Sequence, residues 1–210
     1  MQARWNDRPA AGAQNEQSHH TSHCDQHPQR RIGEHERRRA KIAAAKGVDL
    51  VGKISLYTSD AFAKRNNNCT AAEMRERVVR WLDLYAEAGV TVERALVMTA
   101  FGCNYEGEIP PERPVQELLW AHRVCAERGI NLGKLYFADT MGWANPRQIE
   151  NVIGEVRNRW PELRLALHLH DTRGLGIANA MAGLRMGVAR FDAAVGGLGG
   201  CPFAGQPGAP

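Results

Sequence analysis

Two histidines placed two residues apart are the feature of this sequence best suited to chemistry. His168 and His170 lie near the end of the run LALHLHD, whose first residues have the apolar, β-rich composition of a strand. Side chains two apart in a strand point to the same face, so both imidazoles can reach one ion. A single histidine is more often a core or surface residue, but this pair at a strand end favours a metal site. Imidazole nitrogens suit Zn, Mn, Fe or Co, and added oxygen ligands shift the preference toward Mn or Mg.

An acidic residue and a thiol follow two other predicted strands. Asp139 comes directly after KLYFA and carries a carboxylate to the strand end, although capping a turn through backbone amides is its alternative role. Cys201 follows four glycines in five residues, which predict a mobile loop or a close backbone approach to a ligand. Cysteine is usually a small buried residue, but such a loop is a poor place to bury one. Cys69, Cys103 and Cys125 are expected to be structural, with Cys103 the most ambiguous because it lies at a strand end.

Short β-rich runs alternate with helical segments after Gly47, and these are the elements that must position the candidate residues. The predicted strands are Leu50 to Tyr57, Arg94 to Thr99, Lys134 to Ala138, Arg164 to His170 and Arg190 to Val195. The predicted helices are Ala71 to Ala88, Pro114 to Arg128, Pro146 to Trp160 and Gly176 to Met186. This β-then-α repeat predicts an α/β fold with a parallel sheet, whose active site lies where the strands end. Five strands are too few for the usual closed barrel, so the pattern alone allows an open doubly wound sheet or part of a barrel.

Composition and charge exclude several classes of protein. The chain has 210 residues, of which 43% are hydrophobic and 24% charged, enough for one sizeable core. No run approaches the roughly 18 apolar residues of a membrane helix, and no secretory signal is evident, so a cytoplasmic protein with no membrane partner is expected. The net charge of +4 comes entirely from residues 1–47, where nine Lys and Arg face five Asp and Glu. The rest of the chain is balanced, so no nucleic acid partner is expected.

The first part of the chain has a different composition. Residues 1–33 are rich in Gln, Asn, His, Arg, Gly and Pro and are predicted to be disordered, with residues 34–210 forming the folded domain. His19, His20, His23, Cys24 and His27 could together hold a transition metal, but a flexible His-rich tail is the favoured interpretation because nothing fixes the ligand geometry.

Five longer motifs occur along the predicted domain. The two longest are LHLHDTRGLGIANAMAGLRMGV and GLGGCPFA, and the others are SDAFAKRNNNCT, FGCNYEGEIPPE and FADTMG. In this combination and order they resemble the 3-hydroxy-3-methylglutaryl-CoA (HMG-CoA) lyase-like branch of the DRE-TIM metallolyase (HMGL-like) superfamily. The likeness covers about residues 48–208, and GGCPFA is the part that points to the lyases. It implies a TIM (β/α)8 barrel of which this chain supplies only strands four to eight.

The resemblance also implies roles for individual residues. His168 and His170 would be metal ligands, Cys201 the loop thiol that transfers a proton, and Asp139 a catalytic carboxylate. Three residues would lie near an acyl-CoA substrate; they are Asn66, Tyr105 and Thr140. The implied reaction cleaves a 3-hydroxyacyl-CoA and uses a divalent cation. Mg or Mn is preferred to Zn or Co. The sequence does not identify the acyl group or the oligomeric state, and a homo-oligomer is one of the states it allows.

Two parts of the family pattern are missing from this chain. Residues 1–47 contain no strand with the family's Arg-Asp pair, and the sequence ends at Pro210 without the asparagine ligand that follows the cysteine loop in the family. We therefore expect a partial barrel, whose truncated chain could be inactive. Two alternatives remain: a related condensing or aldol-type enzyme similar to the citramalate and isopropylmalate synthases, and a non-catalytic remnant whose His-rich tail does the binding.

Overall fold

The computed structural model describes residues 51–194 together with residues 200, 201 and 204. These residues belong to a unit that runs from Asp49 to Pro210. The predicted division at residue 33, the His-rich segment and most of the glycine loop before Cys201 lie outside the described residues.

Five parallel strands form one sheet, and a short antiparallel hairpin follows the second of these strands in the sequence. The sheet strands are β1 (Val51–Tyr57), β2 (Thr91–Met98), β5 (Lys134–Ala138), β6 (Leu165–His168) and β7 (Arg190–Phe191). The hairpin strands are β3 (Gly102–Cys103) and β4 (Gly107–Glu108). The helices are α1 (Asp60–Asn67), α2 (Ala71–Glu87), α3 (Glu112–Ala126), α4 (Pro146–Arg159) and α5 (Gly176–Arg185).

The order of the sheet strands distinguishes the two architectures that the sequence left open. The order is β1-β2-β5-β6-β7, so each sheet strand pairs with the one that follows it in the chain. In a doubly wound sheet, the order in which successive strands are added reverses at a switch point, whereas a barrel adds its strands in sequence. The sheet therefore has the topology of part of a barrel, and the prediction of a partial α/β barrel is confirmed.

The core lies between the sheet and its helices. Alternate strand residues such as Ile54, Leu56, Val97, Leu135 and Phe137 are fully buried. Their partners on the helices are also buried; examples are Val78 and Leu82 of α2, Leu118 of α3, and Ile149 and Ile153 of α4. The 2-residue period of each strand and the 3.6-residue period of each helix thus place one face of every element in a shared core.

Residues at the helix ends explain where the helices begin. Thr70 and Asn145 each cap a helix through a side-chain oxygen and form a reciprocal capping box with Glu73 and Gln148. Pro146 occupies the first turn of α4, where its missing N–H costs nothing.

The structure corrects several predicted boundaries and adds three elements. Helix α1 and the hairpin β3–β4 were not predicted. Strand β6 ends at His168, so His170 lies beyond it, and β7 ends at Phe191, short of the predicted end at Val195. Helix α3 begins at Glu112, two residues before the predicted Pro114. Within the described part of the chain, no helix combines the length and apolar character needed to cross a bilayer.

Candidate functional site

The two histidines converge at the end of β6. Nε2 of His168 lies 3.2 Å from Nε2 of His170, with the rings inclined at 69°. Each Nδ1 faces an oxygen instead: His168 Nδ1 lies 3.0 Å from Asp192 Oδ2, and His170 Nδ1 lies 2.7 Å from the carbonyl oxygen of Thr140. A carbonyl can only accept, so Nδ1 of His170 carries the proton in this contact.

These partners leave the two Nε2 atoms available for a common ligand. Burial lowers the pKa of His170, which favours its neutral form with a lone pair on Nε2. That lone pair lies 3.2 Å from Nε2 of His168, a separation at which a proton or a metal ion shared by the two nitrogens would be stabilised. Orientation of metal-binding histidines by a carboxylate or a carbonyl at the other ring nitrogen is the usual arrangement in proteins.

The histidine pair fits a divalent cation but supplies only part of its coordination. Among the described residues, no group of three or more His, Cys, Asp and Glu side chains is placed to hold a metal. Two ligands alone bind weakly, so a cation held there needs further donors, such as substrate or water oxygens.

Asp139 lies at the adjacent strand end, after β5. Its Oδ1 accepts the backbone N–H groups of Trp143 at 2.7 Å and Ala144 at 3.0 Å, so the capping role considered from the sequence is present. Its Oδ2 is buried and has no hydrogen-bond partner among the described residues. Burial raises the pKa of Asp139 to about 6, even though those backbone contacts and the Arg173 guanidinium oppose the increase. A carboxyl group with a pKa near neutrality can accept and return a proton in catalysis.

The tight turn after Asp139 depends on a glycine. Gly142 has a φ of 68°, and a Cβ atom there would lie 2.7 Å from Cβ of Thr172. Arg173 closes the same turn by donating from Nη1 to the carbonyl oxygens of Met141 at 2.8 Å and Gly142 at 2.9 Å. The loops after β5 and β6 are therefore fixed to each other beside Asp139.

Cys201 is buried, which corrects the expectation that its glycine-rich loop is a poor place to bury a thiol. Hydrogen bonds connect its loop to the strand ends that carry the site. Ala204 donates its N–H to the carbonyl oxygen of Cys201 at 2.9 Å, and the Asn104 amide donates to the carbonyl oxygen of Ala204. Asn104 Oδ1 accepts from Nε1 of Trp143 at 2.8 Å, and the backbone N–H of Trp143 donates to Oδ1 of Asp139. A continuous set of contacts thus joins the thiol loop to the Asp139 loop.

The three residues expected near an acyl-CoA fall into two groups. Thr140 is buried and contacts His170 through its carbonyl oxygen. Asn66, at the end of α1, donates from Nδ2 to the hydroxyl of Tyr57 at 3.0 Å. Tyr105 is exposed in the turn of the hairpin, where the Arg65 guanidinium lies 3.9 Å from its ring centroid. Direct contacts therefore join Thr140 to the histidine pair, whereas Asn66 and Tyr105 contact residues of β1 and α1.

Cys69, Cys103 and Cys125, the other cysteines among the described residues, are buried, as expected for structural residues. Burial raises the pKa of Cys69 and raises that of Cys125 to about 11, which disfavours their thiolates. Cys103 donates to Ser59 Oγ at 3.2 Å.

Sequence reasoning missed two residues that contact the candidate site. Asp192 holds Nδ1 of His168, and its position just after the last strand is a signal that could have identified it. Asn104 sits inside a motif used for the resemblance, but nothing in its local sequence indicates that it bridges to Ala204, 100 residues away.

Comparison with known proteins identifies the family. The HMGL-like family profile matches residues 13–206, which is most of the chain. The chain belongs to the HMGL-like family. It is 35% identical to hydroxymethylglutaryl-CoA lyase of Bacillus subtilis over 151 residues, covering 72% of this chain and 48% of that protein. It is 37% identical to (R)-citramalyl-CoA lyase of Chloroflexus aurantiacus over 166 residues, covering 78% of this chain and 49% of that protein.

Solved structures of HMGL-like proteins show the same fold. The HMG-CoA lyase of Brucella melitensis superimposes with a TM-score of 0.67 at 32% identity, covering 80% of this chain and 56% of that one. An HMG-CoA lyase from Acinetobacter baumannii, in complex with coenzyme A and 3-methylmalate, gives a TM-score of 0.62 at 35% identity, covering 74% and 48%. This HMGL-like chain thus spans about half the length of the curated relatives it matches.

Proposed function

We propose that this chain forms the part of a divalent-metal-dependent carbon–carbon lyase that contains His168, His170, Asp139 and Cys201. The substrate is a 3-hydroxyacyl-CoA, either HMG-CoA, which yields acetyl-CoA and acetoacetate, or a close analogue. The observation that carries the proposal is the convergence of the two Nε2 atoms. They lie at the end of the strand that neighbours Asp139, whose N–H donates to the His168 carbonyl oxygen at 2.8 Å and whose buried Oδ2 has no hydrogen-bond partner among the described residues. The relatives at 35% and 37% identity act on substrates of this class by name.

The residues of this chain suit the proton transfers that the reaction requires. A divalent cation held by His168 and His170, preferably Mg or Mn, would stabilise negative charge developing on substrate oxygen. Asp139 Oδ2 can take the proton of the tertiary hydroxyl because the pKa of Asp139, about 6, lies near neutrality. The carbon–carbon bond then breaks to leave a ketone and a thioester enolate. Cys201, by its likeness to the family thiol, donates its thiol proton to the enolate carbon. Loss of the proton from Asp139 to solvent and uptake of one by the Cys201 thiolate then restore both groups.

The proposed metal site is tested by Mn²⁺ binding to the full chain, measured by isothermal titration and electron paramagnetic resonance. His168→Ala and His170→Ala should each weaken Mn²⁺ binding at least tenfold, because each removes one of only two described ligands. His122→Ala is the matched control, since His122 lies on α3 and should leave Mn²⁺ binding unchanged. Mn²⁺ binding that survives both site substitutions would contradict the proposed site.

The substrate is tested by incubating the Mn²⁺-loaded chain separately with HMG-CoA and (R)-citramalyl-CoA. Cleavage of either supports the lyase proposal, and the ratio of kcat/KM values identifies the acyl group. Failure on both, with condensation of acetyl-CoA and a 2-keto acid instead, would favour the condensing alternative. Failure of cleavage and condensation, together with Mn²⁺ binding that survives His168→Ala and His170→Ala, would favour the non-catalytic alternative, in which the His-rich tail does the binding.

A further inference from the structure

Thr99 adopts a backbone conformation that a β-branched residue rarely takes. It follows β2 directly, is fully buried and has a φ of 55°. A left-handed conformation at threonine stores strain and persists only where neighbouring groups determine it. Such residues concentrate at functional sites, so the groups that hold Thr99 are informative.

Hydrogen bonds from the neighbouring strand ends hold Thr99 on both sides. Its N–H donates to Oγ1 of Thr140 at 2.8 Å, and its carbonyl oxygen accepts from Oγ1 of Thr58 at 2.6 Å. The next residue, Ala100, donates its N–H to the carbonyl oxygen of Ala138 at 3.0 Å. The conformation of Thr99 therefore aims a buried N–H at the hydroxyl of Thr140.

Thr140 connects this arrangement to the candidate metal site. The residue that receives the Thr99 N–H on its hydroxyl also receives Nδ1 of His170 on its carbonyl oxygen, at 2.7 Å. The position of Thr140 thus decides which His170 nitrogen carries the proton and where Nε2 points. Nε2 of His170 lies 3.2 Å from Nε2 of His168.

We propose that Thr99 and Thr140 are positioning residues, which orient His170 for metal binding through the contact between the Thr99 N–H and the Thr140 hydroxyl. This assignment rests on the proposed metal site and gives Thr140 a role other than contact with an acyl-CoA. The contact that matters involves the hydroxyl of Thr140 but only the backbone of Thr99.

The first test compares Thr140→Val with Thr140→Ser in the full chain. Valine keeps the branched shape but removes the acceptor of the Thr99 N–H, whereas serine keeps that acceptor. Thr140→Val should weaken Mn²⁺ binding about tenfold, as loss of groups that orient metal ligands commonly does. Thr140→Ser should stay within about twofold of the unsubstituted chain. Equal Mn²⁺ affinity in both variants would overturn the proposal.

A second comparison uses Thr99 and remains informative if Thr140→Val fails to fold. Thr99→Gly keeps the N–H and adopts a φ of 55° without strain, so Mn²⁺ affinity should change by less than about twofold. Thr99→Val keeps a β-branched residue in the left-handed conformation but removes the hydroxyl that donates to the Met98 carbonyl oxygen at 2.7 Å, so it should weaken Mn²⁺ binding by roughly three- to tenfold. Weaker binding in the glycine variant, with normal binding in the valine variant, would contradict a backbone role.

The protonation of His170 gives a readout that needs neither metal nor activity. Nitrogen-15 NMR of the metal-free chain, assigned with His170→Gln, should show a proton on Nδ1 of His170. That signal should lose intensity in Thr140→Val and keep it in Thr140→Ser. If the unsubstituted chain neither binds Mn²⁺ nor cleaves HMG-CoA, the proposed function fails, yet this comparison still decides whether Thr140 orients His170. A His170 signal unaffected by Thr140→Val would refute the positioning role.

Discussion

Replacing Asp139 with asparagine should stabilise the protein while removing its proposed chemistry. The side chain is 1% exposed, and Oδ2 has no hydrogen-bond partner among the described residues. Asparagine keeps an oxygen that can accept the N–H groups of Trp143 and Ala144 but never ionises. The variant therefore removes the cost of a buried negative charge and preserves the turn.

The size of the effect follows from the shift in the pKa of Asp139. The group has a pKa of about 6 in the folded protein, against about 3.9 in an unfolded chain. Each pKa unit corresponds to about 1.4 kcal/mol, so ionisation of buried Asp139 costs about 2 to 3 kcal/mol. Because the folded state binds this proton more tightly, the contribution of Asp139 to stability falls as pH rises from about 4 to about 6. Above that range Asp139→Asn should be about 2 to 3 kcal/mol more stable, roughly 5 to 10 °C in Tm.

Urea unfolding at pH 4.0, 6.0 and 7.5 provides the measurement. The advantage of Asp139→Asn should be near zero at pH 4.0 and greatest at pH 7.5, while cleavage of a 3-hydroxyacyl-CoA falls at least a hundredfold. Asp83→Asn is the matched control, because Asp83 pairs with Arg128 at the surface and contributes less than about 1 kcal/mol. A variant less stable at pH 7.5, or equally stabilised at all three values, would refute the reasoning.

Two further substitutions separate catalysis from packing. Cys201→Ala should lower turnover by orders of magnitude and leave Mn²⁺ affinity nearly unchanged. Replacement of the buried Cys125 by alanine is the control. If Cys201→Ala lowered Mn²⁺ affinity as much as turnover, the thiol would help to hold the ion. Gly183→Ala should lower the free energy of unfolding by about 1 to 2 kcal/mol, because the added Cβ would lie 2.6 Å from Cδ1 of Leu167. In Gly154→Ala the added Cβ has room, so thermal unfolding should show equal or higher stability. An equal loss of stability in Gly183→Ala and Gly154→Ala would rule out this packing explanation.

The sequence predicted the long elements because their periodicity reflects burial. Helix α4 shows this well, since Asn145 and Pro146 mark its start and four apolar residues at helical spacing face the core. Helix α1 was missed because only Phe62 and Ala63 are buried in its eight residues. Its ends are nevertheless marked by Ser59, which caps Phe62 N–H, and by Asn68 in the left-handed conformation.

Strand order could not be predicted from local pattern. A run such as KLYFA predicts a buried strand but does not specify its neighbours. The distinction between a doubly wound sheet and part of a barrel depends on pairing between residues about 30 to 40 apart, for example Tyr57 with Met98. The resemblance of five motifs to a barrel family supplied that information, and the sequential strand order agrees with it.

The candidate site was predicted to the extent that it follows from strand ends. Parallel strands bring their carboxyl ends to one edge, so His168 and Asp139 were expected to be near each other. The convergence of the histidines has a different origin from the one expected. Because β6 ends at His168, strand alternation does not place His170; its contact with the Thr140 carbonyl oxygen does.

Register is the physical quantity that was missing from the sequence. Leu167 pairs with Phe191, so the next residues along, His168 and Asp192, stand side by side and can form their 3.0 Å contact. In the same way Ala138 pairs with His168, and two positions further Thr140 reaches His170. Once the pairing of neighbouring strands is known, the groups that orient both imidazoles can be read from the sequence. The ligand types are therefore local information, whereas their orientation depends on how the strands align.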